Sequence, residues 1–241
     1  MSAVVDPSGA LTVAQIVLDQ PACARVLQRH RIDYGWAGHE TLEAACAGRG
    51  VSVEAVRAEL EEARRNRPAG PPVDPRALPT RALLALIVGR HHTYLRRALP
   101  SITVLAAKVA RVHGYRAPKL PLMAAAVQAI ADTLTRHLDH QEQVLFPGLV
   151  VGQDLRLQLH ETADEHRMVT ELLDRVHEAS DGFTTPPWGC VSYRALAVRL
   201  SVLDADVRQH IHLENHVLIP RFLAGDAGGP ILSRPAAGRP A

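Results

Sequence analysis

The chain has 241 residues, enough to bury one sizeable core and a second small one. Its 27 Lys and Arg against 25 Asp and Glu leave a formal charge of +2, too balanced to suggest a nucleic-acid or membrane partner, and no run of about 18 uncharged apolar residues occurs. A cytoplasmic protein is expected, since Cys23, Cys46 and Cys190 form neither a disulfide framework nor a Cys-x-x-Cys motif.

Residues 11 to 65 read as several short helices. Thr12 with Gln15 three positions on has the form of a capping box, and Pro21 suits a first turn. Gly48 is expected to close a helix begun near Thr41, and Ser52 to cap the next. This small helical domain is placed at 8–65. Asn66 to Pro79, with five prolines and a glycine in fourteen residues, cannot continue a helix and reads as a linker, 66–79. From Thr80 the apolar pattern is helical, with breaks near Gly114 to Pro121, Gly148 to Gln153 and Ser180 to Gly189. The expected fold class is therefore all-α, an up-down four-helix bundle over 80–224 behind a small helical N-terminal domain. Residues 225–241, rich in Gly, Pro and Ala, read as a disordered tail that tolerates truncation.

Histidine is where the chemistry is concentrated: thirteen occur, most of them after residue 90. The inward stripe of the first long helix is Val88, His92, Leu95, Leu99, Ile102, Ala106 and Val109; that of the second is Val127, Ile130, Leu134, His137, Gln141 and Val144. The third gives Ala163, His166, Val169, Leu173 and Val176, and the fourth Leu196, Leu200, Leu203, Val207, His210, Glu214 and Val217. Each stripe carries a histidine. Measured from the breaks between antiparallel neighbours, His92, His137, His166 and His210 fall at comparable heights, so four imidazoles meet in one layer. His113, on the order of 30 Å further along the first helix, is excluded as a co-ligand of His92.

A single inward histidine is most often a hydrogen-bonded core residue. Four of them with a buried carboxylate and no cation would leave several polar groups unpaired at about 1 to 3 kcal/mol each. A metal site is the better reading. Imidazole and carboxylate without thiolate suit iron, zinc, manganese or nickel. Neither His39-Glu40 nor His160-Glu161 has the second histidine of a zinc protease, and no Glu-x-x-His of a ferritin-like site occurs.

The stretch His137-Leu-Asp-His-Gln-Glu-Gln-Val-Leu-Phe-Pro147, the Asp164-Glu-His166 element and His210-Ile-His-Leu-Glu-Asn-His-Val-Leu-Ile-Pro-Arg221 resemble the iron-sulfur cluster repair di-iron proteins. The helix with His92 and Leu99-Pro100 fits them as well. The segments from Leu11 and from Ile32 to Ala45 look like the short ScdA-type domain that precedes the hemerythrin-like bundle in that family. The resemblance implies non-haem iron, one or two per chain, held by His92, His137, His166 and His210, with bridging carboxylates at the positions of Gln141 and Glu214. Two departures stand out: glutamine replaces the family's glutamate at Gln141, and Gly35-Trp36 replaces its adjacent cysteines. Glu142 could substitute for the missing carboxylate only if the helix is locally distorted, and His140 is a candidate extra ligand.

What the resemblance implies is repair of iron-sulfur clusters damaged by oxidative or nitrosative stress, with iron-sulfur client proteins as partners. The alternative is a module that binds or senses nitric oxide or dioxygen without repairing clusters. A third is a bundle that has lost its metal. An organic substrate is not expected, because no nucleophile or general-base constellation accompanies the site. Self-association as a homodimer is compatible with the sequence.

Overall fold

The computed structural model describes residues 11–66 and 74–223. The expected tail, 225–241, and the middle of the proline-rich segment lie outside them. Among the described residues every regular element is helical, with one isolated bridge between Thr12 and Thr41.

Four helices build the N-terminal unit: α1 (Val13–Asp19), α2 (Ala24–Arg29), α3 (Leu42–Arg49) and α4 (Val53–Arg65). Thr12 and Gln15 form the reciprocal capping box, and Thr41 and Ser52 cap α3 and α4 by accepting from Ala44 N and Ala55 N. Helix α3 ends two residues later than expected, at Gly50 rather than Gly48, because Gly50 adopts the left-handed conformation (φ 67°) that closes the helix. The unit has its own core around Val13, Val17, Cys23, Leu27, Ile32, Tyr34, Cys46 and Val56.

Of the proline-rich segment, residues 74–79 are anchored rather than loose. Asp74 caps a 3₁₀ turn at Pro75–Ala77, and Arg221 donates to the carbonyls of Leu78 (2.8 Å) and Pro75 (3.0 Å).

Four rods form the bundle. The first is α5 (Thr80–Ile87) and α6 (Thr93–His113), the second α7 (Leu120–His140) and α8 (Phe146–Val150), the third α9 (Arg156–Ala179), and the fourth α10 (Val191–Leu213) and α11 (Ile219–Leu223). Three of them are interrupted by a π turn, at Val88–His92, Gln141–Leu145 and Glu214–Leu218. Each π turn inserts one residue into the α-helical count, so the faces shift in phase across it. Val144, expected inward, is exposed, and Leu145 is buried in its place; Val88 is half-buried beside the fully buried Ile87. The third rod has no such turn, and Ala163, His166, Val169, Leu173 and Val176 all face inward as its spacing dictates.

Two proline positions account for two of the turns. Pro147 and Pro220 lie two residues beyond the second and third π turns, and neither can donate to the carbonyl four residues back. A helix already lacking that bond widens at lower cost. In the first rod Thr93 Oγ1 donates instead to the Val88 carbonyl at 3.1 Å.

Two apolar clusters flank the histidine layer. One runs from Leu95, Leu138, Val169 and Ile211 toward Val109, Met123 and Tyr193; the other gathers Leu83, Ile87, Leu145, Leu149, Leu159 and Val217. The polar layer is thus sealed above and below by aliphatic side chains, where an unpaired charge is costly.

Candidate metal centre

His92, His137, Gln141, His166, His210 and Glu214 converge between those clusters, each buried to within 2% of fully inaccessible. Glu214 is the hub. Its Oε1 accepts from His210 Nε2 at 2.8 Å, and its Oε2 faces His166 Nε2 at 3.1 Å and His137 Nε2 at 3.9 Å. Two triads able to hold a cation share it: His92, His210 and Glu214, and His137, His166 and Glu214, with ligand atoms within 4.8 Å of one another in each.

Outside this shell, three histidines are aimed by their second nitrogen. His92 Nδ1 bonds Glu142 Oε1 (2.9 Å), His137 Nδ1 bonds Glu165 Oε2 (2.7 Å) and His166 Nδ1 bonds Asn215 Oδ1 (2.7 Å). An acceptor on Nδ1 holds the proton there and leaves the Nε2 lone pair facing the centre. The Nε2 atoms of His92, His137 and His166 have no hydrogen-bond partner, and neither do His210 Nδ1 and Gln141 Oε1, all of them buried. For His166 the contrast is direct: a lone-pair nitrogen stands 3.1 Å from a carboxylate oxygen without hydrogen-bond geometry. Two acceptors so placed require a positive charge between them. The donor set and its orphaned atoms fit a metal cation.

Protonation favours the same state. Burial pushes His210 down to about 3 against the pull of Glu214, and lowers His92 for the same reason. Burial alone would raise Glu214, but its contacts with His210 and His166 outweigh that and hold it well below the usual carboxylate range. Neutral imidazoles and an ionised carboxylate are the forms that bind metal.

Gln141 is inside the layer but plays an unequal part. Its Nε2 donates to Glu214 Oε2 at 2.7 Å, so the amide fills a lone pair of the oxygen that the His137 and His166 triad would use. Glu142 does not replace it, although the helix is distorted there: its carboxylate turns to His92 Nδ1 and Arg96. His140 is half-buried and belongs to neither triad.

His91 was not among the expected residues. It is fully buried, its Nδ1 bonds Asp206 Oδ1 at 2.9 Å, and its ring stacks on His210 with centroids 5.8 Å apart. Consecutive residues of an α-helix diverge by about 100°, so two neighbouring histidines do not ordinarily share a face. The π turn at 88–92 brings both inward.

The N-terminal unit seats on the fourth rod beside this centre. Tyr34 O accepts from His212 Nδ1 (3.0 Å), and Gly35 O accepts from His216 Nε2 (2.8 Å) and Asn215 Nδ2 (3.3 Å). A Cβ at Gly38 would meet Tyr34 O at 2.4 Å and His216 Nε2 at 2.6 Å, so only glycine permits this approach. Trp36 packs against the outer apolar cluster.

Residues 85–222 match the hemerythrin HHE cation binding domain, and residues 10–64 match ScdA_N, a domain of unknown function. The iron-sulfur cluster repair protein YtfE of Yersinia pestis (strain Pestoides F) is 32% identical over 220 residues, which span 90% of this chain and 96% of the relative. The protein of the same name from Yersinia pseudotuberculosis serotype O:1b matches to the same extent. The chain belongs to the hemerythrin-like iron-sulfur cluster repair family. It is a non-haem iron protein that resembles the family's repair proteins, as the resemblance in its histidine motifs implied. No helix among the described residues is long and apolar enough to cross a membrane.

At the far end of the bundle, His113 bonds the exposed Cys190 (Nε2 to Sγ 3.2 Å) beside Trp188 and Tyr193. This hydrogen bond, with the backbone amides of Tyr193 and Ser192, lowers the thiol to about 7. Cys23 and Cys46 are buried, and desolvation raises both. Alkylation of the native protein is therefore expected to label Cys190 alone, with a rate that rises through pH 7 as the thiolate forms. In His113→Gln the midpoint moves up toward about 8.5, the ordinary thiol value. Mass spectrometry after timed iodoacetamide exposure across pH checks both.

Proposed function

We propose that His92, His137, His166, His210 and Glu214, with Gln141 beside them, hold the iron of a protein that repairs iron-sulfur clusters damaged by oxidative or nitrosative stress. The observation that carries this is the buried Glu214 carboxylate, which two separate pairs of imidazoles share. When bound there, iron supplies an open position for a diatomic ligand and a store of metal for a damaged cluster. The chain's own residues set the terms. Glu142, Glu165 and Asn215 hold three rings in the metal-binding tautomer, and the aliphatic clusters on either side exclude water.

Two dications would share one carboxylate in this layer, because Gln141 is neutral and spends its donor on Glu214 Oε2. The His92 and His210 triad is therefore the firmer half, and the His137 and His166 half the weaker. Anaerobic ferrous reconstitution followed by metal analysis and an absorption spectrum tests the assignment. Wild type is expected to hold about one iron per chain, and Gln141→Glu about two with stronger near-ultraviolet absorption. Full loading of the wild type would sink the unequal-halves reading, and an iron-free reconstituted protein the whole assignment.

The second reading, a module that binds or senses nitric oxide or dioxygen, draws on the N-terminal contact. Gly35-Trp36 stands where the family motif has paired thiols, and Cys23 and Cys46 are buried in the domain core, so thiol relay from this domain has no donor. Iron-sulfur client proteins are the partners under the first reading, a small diatomic ligand under the second. Adding nitric oxide to the reconstituted protein separates them: a spectral change without transfer of iron to a cluster-depleted client favours sensing.

A further inference from the structure

Glu142 and Glu165, which aim His92 and His137, are carboxylates and accept in any orientation. His166 is aimed differently. Asn215 is an amide with a donor end and an acceptor end, 5% exposed, and nothing in His166 alone decides which end it meets. That decision is made across the domain boundary. The other end of Asn215 meets the Gly35 carbonyl, which can only accept. The amide must therefore give its NH₂ to Gly35 and its Oδ1 to His166, and an acceptor there requires the proton on His166 Nδ1. Nε2 is left as the lone pair that faces Glu214.

The reaching loop is rigid. Asp33 Oδ1 accepts from the amides of Gly35 (2.9 Å) and Trp36 (3.3 Å), and Oδ2 from Ala37 (3.1 Å). A Cβ on Gly35 would lie 3.1 Å from the Arg208 carbonyl and 3.3 Å from Ile211 Cγ2, so bare backbone is what lets this carbonyl reach the rod. Further out, Arg31 pairs with Asp174 and with Asp204 (3.7 Å), tying the domain to the third and fourth rods without touching any site residue.

We propose that Asn215 is a positioning residue through which docking of the N-terminal domain sets the tautomer of His166, and with it the donor strength of one half of the metal centre. The proposal rests on the iron reading given above. With the domain docked, Nε2 is a ligand. With it lifted, Asn215 turns over, His166 protonates on Nε2 instead, and that triad loses a donor. Linkage makes the coupling reciprocal: a cation held by His166 stabilises the docked domain by the amount that docking strengthens the cation.

The tautomer is read directly from ring ¹⁵N spectra of the metal-free full-length protein. Wild type is expected to show Nδ1–H at His166. Arg31→Ala, which loosens the domain from outside, is expected to give mixed or Nε2–H signals there, with His92 and His137 unchanged. Gly35→Ala wedges the same contact from the loop and serves if Arg31→Ala folds poorly. Adding Asn215→Asp to either variant is expected to restore Nδ1–H, because a carboxylate accepts from His166 however the domain lies. In a Gln141→Glu background, where both halves fill, release of the ferrous ion held by the His137 and His166 half to a chelator is expected to quicken about 10- to 100-fold with Arg31→Ala or Gly35→Ala and to recover when Asn215→Asp is added.

The proposal is overturned if amides 35–37 exchange freely with solvent in a loosened variant while His166 keeps its tautomer. It is equally overturned if Asn215→Asp fails to restore it. A wild type that binds no ferrous ion would sink the iron reading alone, since the tautomer measurement needs no metal.

Discussion

Glu214→Gln is expected to empty the metal centre. The substitution keeps the shape of the side chain but removes the one carboxylate that both triads use, leaving four imidazoles and two amides in a sealed layer. A dication there would be balanced only by Glu142 and Glu165, which lie one residue further out and bond the far nitrogens of His92 and His137. Charge uncompensated in a dry interior costs several kcal/mol. Iron retained after desalting should fall to background in Glu214→Gln, whereas Gln141→Glu retains more than wild type. Circular dichroism of the metal-free variant should match wild type, because the amide still accepts from His210. Iron retention at wild-type levels in Glu214→Gln would show that the carboxylate is not the hub.

Arg208→Met is expected to cause the largest loss of stability. Arg208 is buried, and its guanidinium donates to Asp204 (3.1 Å) and Asp174 (2.7 Å) and stands 3.6 Å from Asp33. Burial alone would push the guanidinium down, but Asp204, Asp33 and Asp174 outweigh it and hold the charge firmly in place. Without Arg208, the buried Asp204 keeps Arg31 at 3.7 Å, Asp174 keeps Arg31 and Arg49, and Asp33 keeps the backbone amides of its own loop but, among the described residues, no cation at ion-pair distance. Removing one partner of such a buried set costs about 3 to 5 kcal/mol. Urea denaturation of the metal-free protein should show a loss of that size. Arg208→Lys should recover only part of it, since an ammonium cannot fork to two carboxylates at once. A loss below about 1 kcal/mol would mean that solvent reaches the network freely.

The bundle was legible because a 3.6-residue period survives wherever a rod is a plain α-helix. The third rod shows this best: its five inward positions, His166 included, all follow from spacing. The same arithmetic failed at Val144 and Val88, for a physical reason. A π turn adds a residue that periodicity cannot count, and all three turns sit at the site. A signal was present in the sequence, the Pro147 and Pro220 that follow Gln141 and Glu214 at the same distance of six residues. His91 was invisible because adjacent residues do not share a face of an ideal helix. The residues that aim the histidines, Glu142, Glu165 and Asn215, lay within or beside the recognised motifs, but spacing reports which residues face inward and not what stands behind them. Least legible was the contact between Gly35 and Asn215. It depends on a side-chain amide and a backbone carbonyl brought together across 180 residues of chain.

The widened turns have a consequence for how such a chain can change. Each is one extra residue placed at the same level of three neighbouring rods, and the aliphatic cap beyond them, from Leu83 to Ile219, meshes because all three offsets agree. Losing one residue from a single turn would rotate everything past it by about 100° and turn that rod's contribution to the cap toward solvent. Lineages of this protein should therefore tolerate insertions in the loops at 114–121 or 180–189 far more readily than any change of length between the ligands and the nearby ends of their rods.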